Sequence, residues 1–147
     1  MSESSNPYQH ALGGLPHGAA FRFIDRLLSL RPGEEGVGEY DLRADAPFLR
    51  GHFPGDPMMP GVLLIEAAAQ LAGVVAQSHP SLAPLPALRL AAVRNARIHG
   101  AVRPGQTIWL QARVTGRFGA LVQADTEART GGVLVLTAEI VLGSVPG

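Results

Sequence analysis

From Val62 to Ala76 the chain is a run of aliphatic residues broken only by Glu66, Gln70 and Gly73. A segment apolar nearly all round predicts a helix over 61–77 that is buried on most of its sides rather than resting on a surface. Pro60-Gly61 marks its start, and Pro80, Pro84 and Pro86 interrupt the chain beyond it. Upstream, Phe21–Leu30 is short and apolar with Asp25 and Arg26 inside it. Arg31-Pro32-Gly33 then makes a turn, and Gly36–Leu42 alternates through Val37, Glu39/Tyr40 and Leu42, which predicts two strands joined by that turn. Downstream, Leu88–Ile98, Thr107–Thr115, Ala120–Thr130 and Val133–Leu142 read as strands, divided at Arg103-Pro104-Gly105, Gly116–Gly119 and Gly131-Gly132. One helix followed by consecutive antiparallel strands gives an α+β domain in which a curled sheet wraps a single long helix. Residues 1–14, polar and broken by Pro7, Gly13 and Gly14, predict a flexible arm ahead of one domain over 15–147.

Composition narrows the chemistry more than the fold. A chain of 147 residues is long enough to bury a core without metals or disulfides. With 46% hydrophobic and only 16% charged residues, part of the surface is expected to be covered by another subunit. There is no cysteine and no lysine, which removes thiol nucleophiles, Schiff-base chemistry, zinc–thiolate sites and Walker-type phosphate loops. The polar N-terminus has no basic-then-apolar leader pattern, and the apolar run from Gly61 to Ala76 is too short for a membrane span, so the reading is a cytoplasmic protein that binds no membrane. Formal charge is zero, yet Leu88–Ala120 carries Arg89, Arg94, Arg97, Arg103, Arg113 and Arg117 without an acid. That stretch reads either as a solvated sheet face or as a docking surface for an acidic partner. Few aromatics interleave with these arginines, which argues against nucleic acid.

The loop before the helix holds His52 among Gly51, Pro54, Gly55, Pro57, Pro60 and Gly61, residues that stiffen or sharply turn the backbone. The helix holds Glu66, with Gln70 one turn further on, sharing its face and able to orient its carboxyl group. A carboxyl group in apolar surroundings favours its neutral form, which makes Glu66 a candidate proton donor. The free N–H groups at the Gly61 end of the helix can hold an oxyanion developing on a carbonyl substrate. A base, an acid and an oxyanion site suit removal of a proton α to a thioester with departure of a β-hydroxyl, which needs no metal and no organic cofactor. His10, His17, His79 and His99 form no i, i+3 or i, i+4 pair of the kind that binds metals.

The run Gly51-His-Phe-Pro-Gly-Asp-Pro-Met-Met-Pro-Gly-Val-Leu-Leu-Ile-Glu-Ala-Ala-Ala-Gln70 resembles the signature of the FabZ-type 3-hydroxyacyl-acyl carrier protein dehydratases. Leu15-Pro16-His17 through Phe23-Ile24-Asp25-Arg26, Ala96-Arg97, and Val102-Arg103-Pro104-Gly105 extend the resemblance from about Leu15 to Leu142. It implies a hotdog fold assembled as dimers or trimers of dimers, producing trans-2-enoyl thioesters in fatty acid or specialised acyl-chain synthesis. By that resemblance His52 of one subunit is the base, Glu66 of its neighbour acts on the hydroxyl, and the Gly61 amide polarises the carbonyl. Phe53, Pro54, Gly55 and Pro60 shape the substrate loop. The partner implied is an acyl carrier protein bearing its chain on phosphopantetheine, received by arginines such as Arg94, Arg97 and Arg103; partner synthase subunits are a further class.

Glu66 stands where the related dehydratase/isomerases carry aspartate, which favours dehydration alone, although Gly55-Asp56-Pro57 is similar to the isomerase-type loop. The chain departs from the family pattern at Gly18-Ala19-Ala20 and at Ile98-His99-Gly100-Ala101, where bulk or charge is reduced. Those departures suggest a reshaped entrance and a polyene or aryl-bearing chain. Three rivals stay open: an acyl thioesterase using Glu66 to activate water, an enoyl-CoA hydratase, and a non-catalytic acyl-binding or scaffold subunit of a synthase complex.

Overall fold

The structure, a computed structural model, describes residues 11–12, 21–50, 55–82, 85 and 88–144. Strands β1 (Arg26–Arg31) and β2 (Glu35–Asp41) form a hairpin. Helix α1 (Gly61–Gln77) follows a short 3-10 turn at Pro47–Leu49, and β3 (Leu88–Ile98), β4 (Thr107–Phe118), β5 (Leu121–Thr130) and β6 (Val133–Ser144) complete the described elements. They form one six-stranded antiparallel sheet in the order β1-β2-β4-β5-β6-β3. This is the hotdog arrangement, with the sheet curled around α1.

The helix can be wrapped because its buried faces are small. Ala67, Ala68, Ala69, Leu71, Ala72, Val74, Val75 and Ala76 are all enclosed, so the sheet meets it on several sides. The sheet supplies the complementary alternation. Ile108, Leu110 and Ala112 on β4, Val122, Ala124 and Ala128 on β5, and Leu136, Ala138 and Ile140 on β6 point into the same core. In contrast β3, which follows the helix and crosses to the far edge of the sheet, is exposed along nearly its whole length. Ala11 and Leu12, within the expected N-terminal arm, pack on the core; most of that arm lies outside the described residues.

Two expectations change. The break expected at Gly116–Gly119 is narrower, because β4 continues to Phe118 through a register shift between Val114 and Gly116. The Phe118 ring lies where a side chain on residue 116 would stand, 2.6 Å from that Cβ position, so Gly116 serves as a packing surface within the strand. Strand β1 also begins at Arg26 rather than Phe21. The backbone of Phe21 and Phe23 is hydrogen-bonded to a helix side chain instead of to β2, and pairing with β2 starts only where the Asp25 N–H donates to the Glu39 carbonyl (2.8 Å).

Candidate active site

The helix delivers the polar groups. Glu66 and Gln70 lie one turn apart, and the Gln70 amide donates from Nε2 to Glu66 Oε2 (3.2 Å). Gln70 is 2% exposed and also satisfies a distant segment: Oε1 accepts the Phe23 N–H (2.8 Å) and Nε2 donates to the Phe21 carbonyl (2.8 Å). Those bonds fix the rotamer of the amide, and with it the side of Glu66 that faces Gln70. The Phe23 ring, held by the same contact, packs edge-on against Tyr40 and Phe48 at 5.6 and 5.8 Å. Glu66 itself is half-buried, more open than the apolar run around it suggests.

The start of α1 is built for access. Pro60 is the N-cap and makes no side-chain cap, so the Gly61 and Val62 amides have neither a capping side chain on Pro60 nor a carbonyl one turn back within the helix. The Pro60 carbonyl accepts from Leu63 and Leu64 (2.9 and 3.2 Å), which sets the first turn. The preceding loop is anchored by the Met59 N–H donating to the Val102 carbonyl (2.9 Å), with both residues buried, and by Arg103 pairing with Asp56 (3.1 Å). That carboxylate raises the Arg103 pKa above its ordinary value. Gly61 lies under Ile98, at the end of β3: a Cβ on residue 61 would collide with Ile98 Cδ1.

The model of the FabA-like domain matches residues 15–139. The chain belongs to the FabA-like family. It is 36% identical over 132 residues to the 3-hydroxyacyl-[acyl-carrier-protein] dehydratase FabZ of Chloroflexus aggregans, covering 90% of this chain and 91% of that protein. The FabZ of Desulforamulus reducens is 39% identical over 126 residues, 86% of this chain and 88% of that one. Among solved structures, a chain of the dehydratase heterocomplex ApeI:P from Xenorhabdus doucetiae superposes with a TM-score of 0.79 at 18% identity, covering 97% of this chain and 93% of its own. Zebra fish thioesterase superfamily member 2 superposes at 0.68 with 14% identity over 95% of each chain. Both structures support the hotdog fold.

Of the residues singled out in the sequence, the structure brings Glu66 and Gln70 into direct contact and sets Pro60 and Gly61 at the helix start. Gly55 lies in the loop ahead of them, with φ +86°. His52, Phe53 and Pro54 lie outside the described residues, as do Gly18, Ala19 and Ala20. The arginine-rich stretch is less uniform than its sequence. Arg103 is paired with Asp56, Arg113 with Asp125 (3.3 Å), and Arg117 donates to the Ala76 carbonyl (3.2 Å). Arg94 and Arg97 stand exposed on β3, with Arg94 opposite Glu139. Acids from neighbouring strands and loops therefore break up the expected basic face.

A cavity of about 650 Å³ lies beyond the 21–24 segment, lined by Arg22, Asp25, Tyr40, Arg43, Asp45 and Phe48 among others. Arg43 and Asp25 in that lining form an ion pair (3.1 Å), and burial pushes the Tyr40 phenol above its usual pKa. Among the described residues, no group of three or more His, Asp or Glu side chains could hold a metal ion, and no helix is long and apolar enough to cross a membrane. Sequence reasoning missed the Phe21–Phe23 backbone as Gln70's partner. An apolar helix containing one glutamine was the available signal, because a buried amide must find donors and acceptors somewhere.

Proposed function

We propose that this protein removes water from 3-hydroxyacyl thioesters on acyl carrier protein to give trans-2-enoyl thioesters. The observation that carries the reading is Gln70 holding Glu66 on a helix whose uncapped N-terminus opens at Gly61, in a chain of the FabA-like family. His52 takes the α-proton, and the electron pair of that C–H bond becomes the new carbon–carbon double bond. The β-hydroxyl leaves with a proton from Glu66, and the Gly61 amide supports the carbonyl oxygen while negative charge builds on it. One water is released and nothing is oxidised or reduced. Gln70 keeps the Glu66 carboxyl group in one orientation throughout.

The active assembly in this reading is a homodimer or a trimer of dimers, in which His52 and Glu66 come from different subunits. The exposed edge strand β3 and the low charge of the chain support association. Residues 15–147 act as one catalytic domain, with 1–14 as an arm, in the cytoplasm. Arg94 and Arg97 are the docking arginines for the carrier protein, whereas Arg103 reaches it only by exchanging its bond to Asp56.

Incubation with 3-hydroxyacyl carrier protein followed by mass spectrometry tests the reading. A loss of about 18 mass units, the mass of one water, is expected, with the rate falling about 10²–10⁴-fold in both His52→Ala and Glu66→Gln. Release of free acid that survives His52→Ala would assign hydrolysis instead.

A further inference from the structure

We propose that Ile98 bounds the space at the α-carbon of the substrate, so that the site accepts α-unsubstituted 3-hydroxyacyl thioesters and rejects α-branched ones. The inference rests on the Gly61 amide being the donor to the thioester carbonyl. Ile98 Cδ1 lies so close to the position a Cβ on Gly61 would take that the two would clash, and Cγ1 follows at 3.5 Å from that position. An isoleucine side chain thus lies directly on the residue whose N–H receives the substrate. A carbonyl oxygen at hydrogen-bond distance from that N–H carries its α-carbon about 2.4 Å further on. Added bulk at the α-carbon is therefore introduced beside the first helical turn that Ile98 covers.

The position of Ile98 is fixed from both sides. Immediately after it the His99 N–H donates to the Val135 carbonyl (2.8 Å), which ties the end of β3 to β6. The loop ahead of Gly61 is tied to the following segment by Met59 to Val102 and by Arg103 to Asp56. The strand end and the helix start therefore keep their spacing, and the side chain between them decides how much room is left. Ile98 is 52% exposed, so it contributes little to the core and its truncation is expected to leave the fold intact.

The test compares kcat/KM for a 3-hydroxyacyl chain and for its 2-methyl counterpart, both C2 epimers supplied, on the same carrier protein. The wild type is expected to favour the unbranched chain by tenfold or more. Ile98→Ala is expected to raise the ratio of kcat/KM on the 2-methyl chain to that on the unbranched chain about tenfold, whatever it does to either rate alone, and Ile98→Val to fall between. A ratio unchanged by Ile98→Ala, or equal use of both chains by the wild type, overturns the role of Ile98 and leaves dehydration standing. Failure of the wild type to dehydrate either chain overturns both the role of Ile98 and the dehydratase reading on which it depends.

Discussion

The two ends of α1 are finished in opposite ways. At the C-terminal end the orphan carbonyls are taken up. Val75 accepts from the Gly33 N–H (3.1 Å), the Ser78 N–H (3.2 Å) and the Ser78 hydroxyl (2.7 Å), while Ala76 accepts from Arg117 (3.2 Å). The Gln77 side chain closes the same end, its amide donating to the Leu85 carbonyl and its oxygen accepting the Leu85 N–H. At the N-terminal end Pro60 brings no side-chain cap, and the bonds that hold the described part of the loop run through Met59 and Asp56 rather than through the first amides. The helix is thus secured at the end where satisfaction adds stability and left uncapped where the amides can meet a ligand.

That contrast can be broken most strongly at the closed end. Gly33 has φ +77°, and a Cβ there would lie 2.6 to 3.0 Å from three carbons of His79. Gly33→Ala should therefore cost about 2–4 kcal/mol, from left-handed strain and overpacking together, with the unfolding midpoint dropping by several degrees in a thermal melt. A melt within one degree of wild type would mean that the hairpin tip does not secure the helix. At the open end the balance reverses. Gly61→Ala, at the first helical position, needs only the far end of Ile98 to swing aside, so stability should hold. The displaced side chain and the added methyl group should still lower kcat/KM about tenfold, or roughly 1.4 kcal/mol. Loss of stability together with full activity would show the two ends to be alike. The smallest effect is expected for Arg117→Met, which removes one cation from the helix C-terminus and should cost about 0.5–1 kcal/mol with turnover unchanged, measured by denaturant midpoint and steady-state rate.

Much of this arrangement is legible in the chain. The bounds of α1 follow from Pro60-Gly61 and the prolines beyond residue 79, and β3 runs over the residues that its composition marks out. The Gly131-Gly132 turn joins β5 to β6 where expected, with Thr130 opposite Val133. The i, i+4 spacing of Glu66 and Gln70 places both on one helix face, and the structure joins them by a hydrogen bond. The misses have a common form. The sequence counts six arginines between Leu88 and Ala120 without revealing that Asp56 and Asp125 come to meet two of them. It reads Phe21–Phe23 as strand, because apolar residues look alike whether their backbone bonds to a neighbouring strand or to a glutamine 47 positions away.

By itself, then, the sequence determined which segments become helix and strand, which faces are apolar, and which side chains share the polar stripe, since each depends on periodicity and on residues close in the chain. The tertiary structure alone decided that β3 lies at the sheet edge, that Gln70 spans from Glu66 to the Phe21–Phe23 backbone, and that Ile98 rests on Gly61. The long-range contacts among them join residues 37 or more positions apart. They are fixed by the requirement that every buried amide be satisfied and every core surface be filled at once, a condition that the whole fold meets and no local pattern encodes.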